Sequence, residues 1–311
     1  EGQIFVSCAG GITTNATFRY SREDAPEGWF FIRAAVKNLK GGHSGDDINK
    51  KLGNSVKLLS RFLYQTNERY GVRLAHFVAG KLHNAIPRDG EAVFAVPFSK
   101  KEDVRADWNI FCSDVEDEFH VTEKTMEFEM ESHEAQTVLP EAVSTALIRA
   151  LQGVHNGVFA MCQDEEIAWL VETSSNVASV CTEEDKAVVV ASQRSNVMSN
   201  LRNMANTIKA VFQLAGAEVE QGDGYPAWKM RADSRLTKIT VDAYKDLFAK
   251  DPLVLGIHAG LECGLFSERY PDLDMVSFGP TLRGVHSPDE RLLIPTVQMV
   301  WDHLLEVLKR V

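Results

Sequence analysis

The stretch that decides the fold covers residues 257–290 and reads IHAGLECGLFSERYPDLDMVSFGPTLRGVHSPDE. Two histidines, His258 and His286, lie beside small residues in it, and acidic residues follow each of them. The apolar run 275–278 predicts a buried strand that ends at a Gly-Pro pair. A strand that leads into a Gly- and Pro-rich loop is a rigid support for a reactive side chain. We therefore expect a functional site near His286.

Length and composition indicate a globular protein with two domains. The chain has 311 residues, of which 44% are hydrophobic and 25% are charged, and its net charge is -11. This charge argues against nucleic acid as a partner, because phosphate binding requires clustered Lys and Arg. No apolar run approaches the ~20 residues that a membrane span requires, so we expect no membrane partner. The five cysteines are scattered without paired spacing, which favours a reducing compartment and predicts a cytoplasmic protein.

The periodicity of apolar residues predicts an α/β fold, with a tight turn at 9–11. A domain at 13–221 is expected to interrupt a second domain formed by 1–12 and 222–311. Such an arrangement is typical of a lid inserted in a catalytic body, with the ligand in the cleft between them. Strands are predicted near 3–6, 13–20, 30–39, 74–79, 92–98, 125–131, 177–180 and 187–192, and helices near 49–68, 100–119, 139–152, 198–215, 234–248 and 295–311.

Three of the candidate site residues each have a functional and a structural interpretation. His286 is suited to bind zinc, but zinc needs three or four protein ligands, and an ordinary polar loop residue is the alternative. His43 lies between glycines ahead of a helix and is a general acid, a donor to an oxyanion, or a loop residue. Arg194 follows a strand and binds either a substrate carboxylate or an internal acidic partner.

The residue pattern also leaves a functional and a structural interpretation for each of the remaining candidates. Asn84 binds substrate or holds its own loop. His258 and Glu262 form a polar pair near the site or have a structural role. Pattern alone therefore leads to a two-domain α/β enzyme candidate with a histidine-bearing cleft.

Five segments, taken together in their order along the chain, indicate a family as well as a fold class. They are KGGHSG at 40–45, LHNAIPR at 82–88, VETSSNV at 171–177, IHAGLECG at 257–264 and GVHSPDE at 284–290. Together they closely resemble the aminoacyl-histidine dipeptidases, also called Xaa-His dipeptidases or peptidase D, of the M20 metallopeptidase family. The opening segments EGQIF and CAGG resemble the same family, so that the resemblance covers essentially the whole chain.

The resemblance implies a catalytic domain that holds two zinc ions and carries an inserted lid, in an enzyme that is usually a homodimer. His286 matches a zinc ligand, and His43 matches a lid histidine that stabilises the tetrahedral intermediate. Asn84 and Arg194 match lid residues that bind the C-terminal carboxylate of a short peptide. We place His258 and Glu262 in the same substrate-binding group.

The chain departs from its family in one respect. In the family, the other metal ligands and the glutamate that acts as general base lie in the N-terminal part, and none of those motifs occurs here. We therefore expect the lid plus the C-terminal portion of a zinc-peptidase catalytic domain, which by itself does not hydrolyse dipeptides. The expected function of the longer enzyme is hydrolysis of Xaa-His dipeptides by metal-activated water. The alternatives are a non-catalytic lid or assembly module, and another M20 peptidase or deacylase.

Overall fold

The computed structural model describes residues 1–163, 168–283 and 290–311. These residues form both helices and strands, so the predicted α/β class is confirmed. None of the helices formed by these residues is long and apolar enough to cross a membrane. The strands are β1 (Gln3–Cys8), β2 (Gly10–Arg19), β3 (Trp29–Lys37), β4 (Gly42–His43), β5 (Arg73–Ala79), β6 (Ala85–Ile86), β7 (Gly90–Pro97), β8 (Glu127–Ser132), β9 (Gly157–Met161), β10 (Val171–Thr182), β11 (Lys186–Ser195), β12 (Glu218–Gln221), β13 (Leu253–Ile257), β14 (Leu282–Arg283) and β15 (Arg291–Leu292). The helices are α1 (Ser55–Tyr70), α2 (Lys101–Phe119), α3 (Glu141–Gly153), α4 (Met198–Leu214), α5 (Arg235–Phe248), α6 (Cys263–Arg269) and α7 (Pro295–Arg310).

A large antiparallel sheet dominates the structure. Its strands follow the order β12-β2-β11-β10-β5-β7-β3-β8, and β9 also pairs with β10. Helix α1 packs on this sheet through Val56, Leu59 and Leu63, which are fully buried because their spacing places them on one helix face. The ring of Phe62 lies edge-on to Trp108 of α2, with 4.7 Å between the ring centroids. These contacts make one continuous hydrophobic core under the sheet.

A small sheet lies beside the large one. Strand β1 pairs in parallel with β13, from Gln3 opposite Leu253 to Cys8 opposite Ile257. The helices α5 and α7 are joined by a hydrogen bond of 2.8 Å between His303 Nε2 and the backbone oxygen of Thr240. The chain passes from β1 directly into β2 of the large sheet, and this passage brings the two sheets together.

Two local predictions are wrong. The run 275–278 is half-buried and forms no strand; only Ser277 makes a bridge, to Phe5. The glycines expected in a tight turn instead open β2, where Gly10 pairs with Ser195 and Gly11 with Arg194. Glycine serves there because other backbone and side chains approach too closely for a Cβ. The domain division at 13–221 stays a prediction.

Candidate functional site

Arg194 lies near the end of β11 and is only 5% exposed. Its Nη1 donates a hydrogen bond of 2.6 Å to the hydroxyl of Tyr225. Its Nε and Nη2 donate to Oγ of Ser44 at 3.4 Å and 3.2 Å. Both of its partners are therefore uncharged hydroxyl groups.

Within residues 1–163, 168–283 and 290–311, no carboxylate lies within ion-pair distance of Arg194. A guanidinium group has five N–H donors, and the hydrogen bonds above use three of them. Burial of an uncompensated charge is costly, and buried charges in proteins are ordinarily paired. Arg194 thus has a buried positive charge and two N–H donors without a partner among the described residues.

His258 lies beside this arginine and is 3% exposed. Its Nε2 forms a hydrogen bond of 2.8 Å with Oγ of Ser174, the residue that pairs with Arg194 across β10 and β11. Burial, with the nearby charge of Arg194, lowers the pKa of His258 to about 3, so the imidazole is neutral at physiological pH. We call Arg194, Ser44, Tyr225, Ser174 and His258 the arginine site.

The loop that carries His43 is anchored by pairing of β4 with β6. Nδ1 of His43 accepts hydrogen bonds from the backbone N–H groups of Gly45 at 3.3 Å and Asp46 at 3.2 Å. Because Nδ1 is the acceptor, the hydrogen of the neutral imidazole is on Nε2. His43 therefore has its donor on the nitrogen farther from its own backbone.

Asp47 belongs to the same loop and stabilises it through hydrogen bonds of its carboxylate. Its carboxylate accepts from the backbone N–H of His43 at 2.7 Å and from Nζ of Lys50 at 2.5 Å. Burial by itself raises the pKa of Asp47, but the hydrogen bonds from Lys50 and His43 outweigh it and the pKa is lowered. The carboxylate thus stays ionised and holds the histidine backbone in place.

Close backbone packing joins the His43 loop to the arginine site. A Cβ on Gly45 would lie 2.0 Å from the backbone oxygen of His258 and 3.2 Å from Cδ of Arg194. Only glycine permits this approach. The residue before it, Ser44, supplies the hydroxyl that Arg194 binds. The structure thus brings His43, His258 and Arg194 into one region.

Asn84 lies next to this loop. Its backbone oxygen accepts from the N–H of Ser44 at 2.9 Å, and the following residue, Ala85, pairs with His43. Its half-buried side chain forms no hydrogen bond with any residue that the structure describes. The amide is therefore available to a ligand beside His43.

Tyr225, Ser44 and Glu123 were not predicted as parts of this region. Glu123 is 5% exposed, and its carboxylate accepts from the backbone N–H groups of Lys40 at 2.6 Å and Gly53 at 2.7 Å. It thereby closes both ends of the loop that carries His43. No local pattern marks Glu123 or Tyr225, whereas Ser44 lies inside the KGGHSG segment and adjacent to a candidate.

Two candidates remain, Glu262 and His286. Glu262 is exposed, and His258 hydrogen bonds to Ser174 and not to it. His286 falls in 284–289, outside the described residues. Elsewhere, in the part of the chain that is described, no three or more His, Cys, Asp or Glu side chains are grouped so as to hold a metal ion.

Comparison with known proteins defines the class. Residues 61–310 match peptidase family M20/M25/M40, and the chain belongs to this family. Peptidases of the M20 family are generally metal dependent.

Two particular relatives confirm the predicted resemblance. The chain is 37% identical, over its whole length, to the cytosol non-specific dipeptidase of Escherichia coli (strain K12). It is 38% identical, with a TM-score of 0.90 over its whole length, to the crystal structure of aminoacylhistidine dipeptidase from Vibrio alginolyticus. The chain spans 64% of the length of the first relative and 63% of the second.

Proposed function

We propose that the chain forms the substrate-binding part of a zinc-dependent dipeptidase that acts on Xaa-His peptides. In this proposal the arginine site binds the C-terminal carboxylate of the substrate. The observation that carries it is the buried guanidinium of Arg194, which has two unused donors and no carboxylate partner among the described residues. The names of the two relatives support peptide hydrolysis as the reaction.

The chemistry of the arginine site suits a terminal carboxylate. A planar guanidinium group binds a carboxylate through two parallel N–H groups, and a low local dielectric strengthens the attraction. A peptide that continued past this point would bring a neutral amide to Arg194 and leave the buried charge uncompensated. The site therefore favours very short peptides.

We further propose roles for two neighbouring side chains. His43, with its hydrogen on Nε2, donates to the oxygen of the scissile carbonyl as negative charge develops there. Asn84, whose side chain has no partner among the described residues, donates its amide to the substrate carboxylate. His43 lies on β4, and Asn84 directly precedes β6 and bonds through its backbone oxygen to the N–H of Ser44. His258 and Glu262 remain predicted substrate-binding residues.

Zinc is part of the proposal because the family is generally metal dependent and His286 matches a zinc ligand. Two zinc ions would supply the activated water when bound. A cytoplasmic location accords with five free cysteines and with the name of the first relative. Homodimer formation, and the inability of the chain alone to hydrolyse dipeptides, stay predictions.

Replacement of Arg194 by lysine tests the proposal. Lysine keeps the positive charge but lacks the two-pronged donor geometry. We expect Arg194→Lys to weaken the binding of Ala-His about tenfold or more, as the loss of hydrogen bonds to a charged group predicts. Calorimetric titration in EDTA, which prevents metal-dependent turnover, measures the dissociation constant.

The matched control is Arg33→Lys. Arg33 also lies in a strand of the large sheet, but its guanidinium is already paired with Glu91, Glu129 and Glu131. This variant should bind Ala-His as the unmodified chain does. Unchanged binding by a folded Arg194→Lys variant, or no binding by the unmodified chain, would overturn the proposed function.

A further inference from the structure

Tyr225 lies beside β2 of the large sheet, and its side chain contacts Arg194 on the next strand, β11. Its backbone forms a bridge with Gly11, through hydrogen bonds of 3.0 Å and 2.9 Å. Gly11 is in turn the register partner of Arg194 on the next strand. Ser174, Arg194, Gly11 and Tyr225 therefore form one row across four neighbouring segments.

The missing side chain of Gly11 makes room for the tyrosine ring. A Cβ on Gly11 would lie 2.5 Å from both Cζ and Oη of Tyr225. On the other side, a Cβ on Gly260 would lie 2.6 Å from Cε2 of the same ring. The ring of Tyr225 thus packs between Gly11 and Gly260, and its hydroxyl group contacts Arg194.

The hydroxyl group of Tyr225 accepts one hydrogen bond and can also donate one. It accepts the hydrogen bond from Nη1 of Arg194, and its own hydrogen has no acceptor among the described residues. Burial raises the pKa of Tyr225, although the charge of Arg194 acts in the opposite direction. The phenol therefore keeps its hydrogen at neutral pH, and acceptance from a cation strengthens it as a donor.

We infer that Tyr225 is a further substrate-binding residue, whose hydroxyl donates to the same peptide carboxylate that Arg194 binds. This inference rests on the proposed function. An ionised carboxylate has about four lone-pair sites and can accept from both side chains at once. Three donors of these two side chains have no partner in the described part of the chain: two N–H groups of Arg194 and the O–H of Tyr225. Tyr225 thereby adds selectivity for a free acid over an amide.

The test begins with Tyr225→Phe, which removes the hydroxyl and keeps the ring. We expect the dissociation constant of Ala-His to rise about tenfold, as removal of one hydrogen bond to a charged group predicts. Binding of the C-terminal amide of the same dipeptide should change much less. The control is Tyr20→Phe, which removes a buried hydroxyl bonded to the backbone oxygens of Glu183 and Lys186 and should leave both constants unchanged.

A second variant keeps the phenol but moves it. The Cβ of Gly11→Ala collides with Oη of Tyr225, so this variant should reproduce the loss of Ala-His binding although the hydroxyl is present. Circular dichroism establishes that the variant is folded. Wild-type affinity in folded Gly11→Ala would contradict the inferred position of the hydroxyl.

A double-mutant cycle distinguishes direct contact from positioning of Arg194. If Tyr225 binds the carboxylate itself, Tyr225→Phe still weakens Ala-His binding in the Arg194→Lys chain. If the tyrosine only holds the arginine, its replacement has no further effect there, and the inference is wrong. Loss of binding in Arg194→Lys without any loss in Tyr225→Phe overturns this inference alone, whereas no loss in Arg194→Lys overturns the proposed function.

Discussion

At the scale of single residues, the charge of Arg194 dominates the site. The guanidinium is buried against hydroxyl groups, which solvate a cation less well than bulk water does. A bound carboxylate would restore the missing charge partner, so the cost of burying Arg194 becomes binding energy for the substrate. Under the proposed function, the low exposure of Arg194 would therefore favour ligands that carry a free carboxylate.

The buried His258 makes the stability of the protein depend on pH. Its pKa in the folded chain, about 3, is below the ordinary value of 6.5, so the folded state binds fewer protons between these pH values. His258 therefore does not reduce the free energy of unfolding above about pH 6.5. Below this pH the free energy of unfolding decreases, and it continues to decrease as the pH falls toward 3. We expect His258 to contribute a slope of up to about 1.4 kcal/mol per pH unit to the free energy of unfolding.

Urea titrations of the unmodified chain and of His258→Gln, between pH 4 and 7, measure this slope. Glutamine retains a polar group near Ser174 but does not titrate. The variant should show a shallower pH dependence over this interval. Parallel pH profiles for the two chains would contradict the assignment of a buried, neutral His258.

Prediction from sequence reached only part of the site. His43 and Asn84 were identifiable because they lie in compact segments that resemble known motifs, and Arg194 was identifiable because it follows a predicted strand in a chain that resembles the family throughout. Tyr225 was missed because its role depends on a bridge to Gly11 and on the register of β2 and β11. Such pairings join residues far apart in the chain, and no local spacing encodes them.

At the scale of elements, one lysine connects two helices under the large sheet. Nζ of Lys57 on α1 donates to the backbone oxygens of Leu151, Gln152 and Val154 at 2.5 Å, 2.9 Å and 3.0 Å. These oxygens lie at the C-terminal end of α3, where intrahelical partners are lacking and a cation is favourable. Lys57 therefore fixes α1 against α3 while α1 supports the sheet.

Lys57→Met tests this connection. Methionine keeps the length of the side chain but leaves the three oxygens without their donor, so the free energy of unfolding should fall by about 1–3 kcal/mol. The control is Lys238→Met, at an exposed lysine of α5 whose side chain has no partner among the described residues; its effect should be within about 0.5 kcal/mol. Equal stabilities of the two variants in urea titrations would contradict the role of Lys57.

Elements with clear periodicity were predicted well, including most strands of the large sheet, whereas one short apolar run was wrongly predicted as a strand. The predicted helix at 100–119 corresponds to α2 because its apolar positions repeat at helical spacing. The run 275–278 is apolar, yet only Ser277 finds a backbone partner. A strand requires a neighbour, and composition does not reveal whether one is available.

At the scale of the whole molecule, the arginine site lies where the two sheets meet. Cys8 at the end of β1 pairs with Ile257, the residue before His258. Three residues later, Gly11 pairs with Arg194 in the large sheet. Ala9 lies between them, and its N–H is 3.1 Å from the backbone oxygens of both Ile257 and Ala259. The short passage from one sheet to the other thus aligns His258 with Arg194.

This geometry accounts for the wide separation of the site residues in sequence. Loop 40–53 contributes Ser44, the large sheet contributes Arg194, and the residue that directly follows β13 of the small sheet is His258. Their meeting depends on the global arrangement of strands, so it could be expected only from the resemblance to a family. The predicted zinc ligand, His286, lies outside the described residues.

The most direct test of the central claim compares the binding of Ala-His with that of its C-terminal amide to the unmodified chain. The two peptides differ in the terminal charge that Arg194 is proposed to bind. Calorimetric titration in EDTA should give a dissociation constant for the free acid that is lower by about tenfold or more, as charge-assisted hydrogen bonds predict. Equal affinity for the acid and the amide would contradict the claim that the arginine site binds the C-terminal carboxylate of a short peptide.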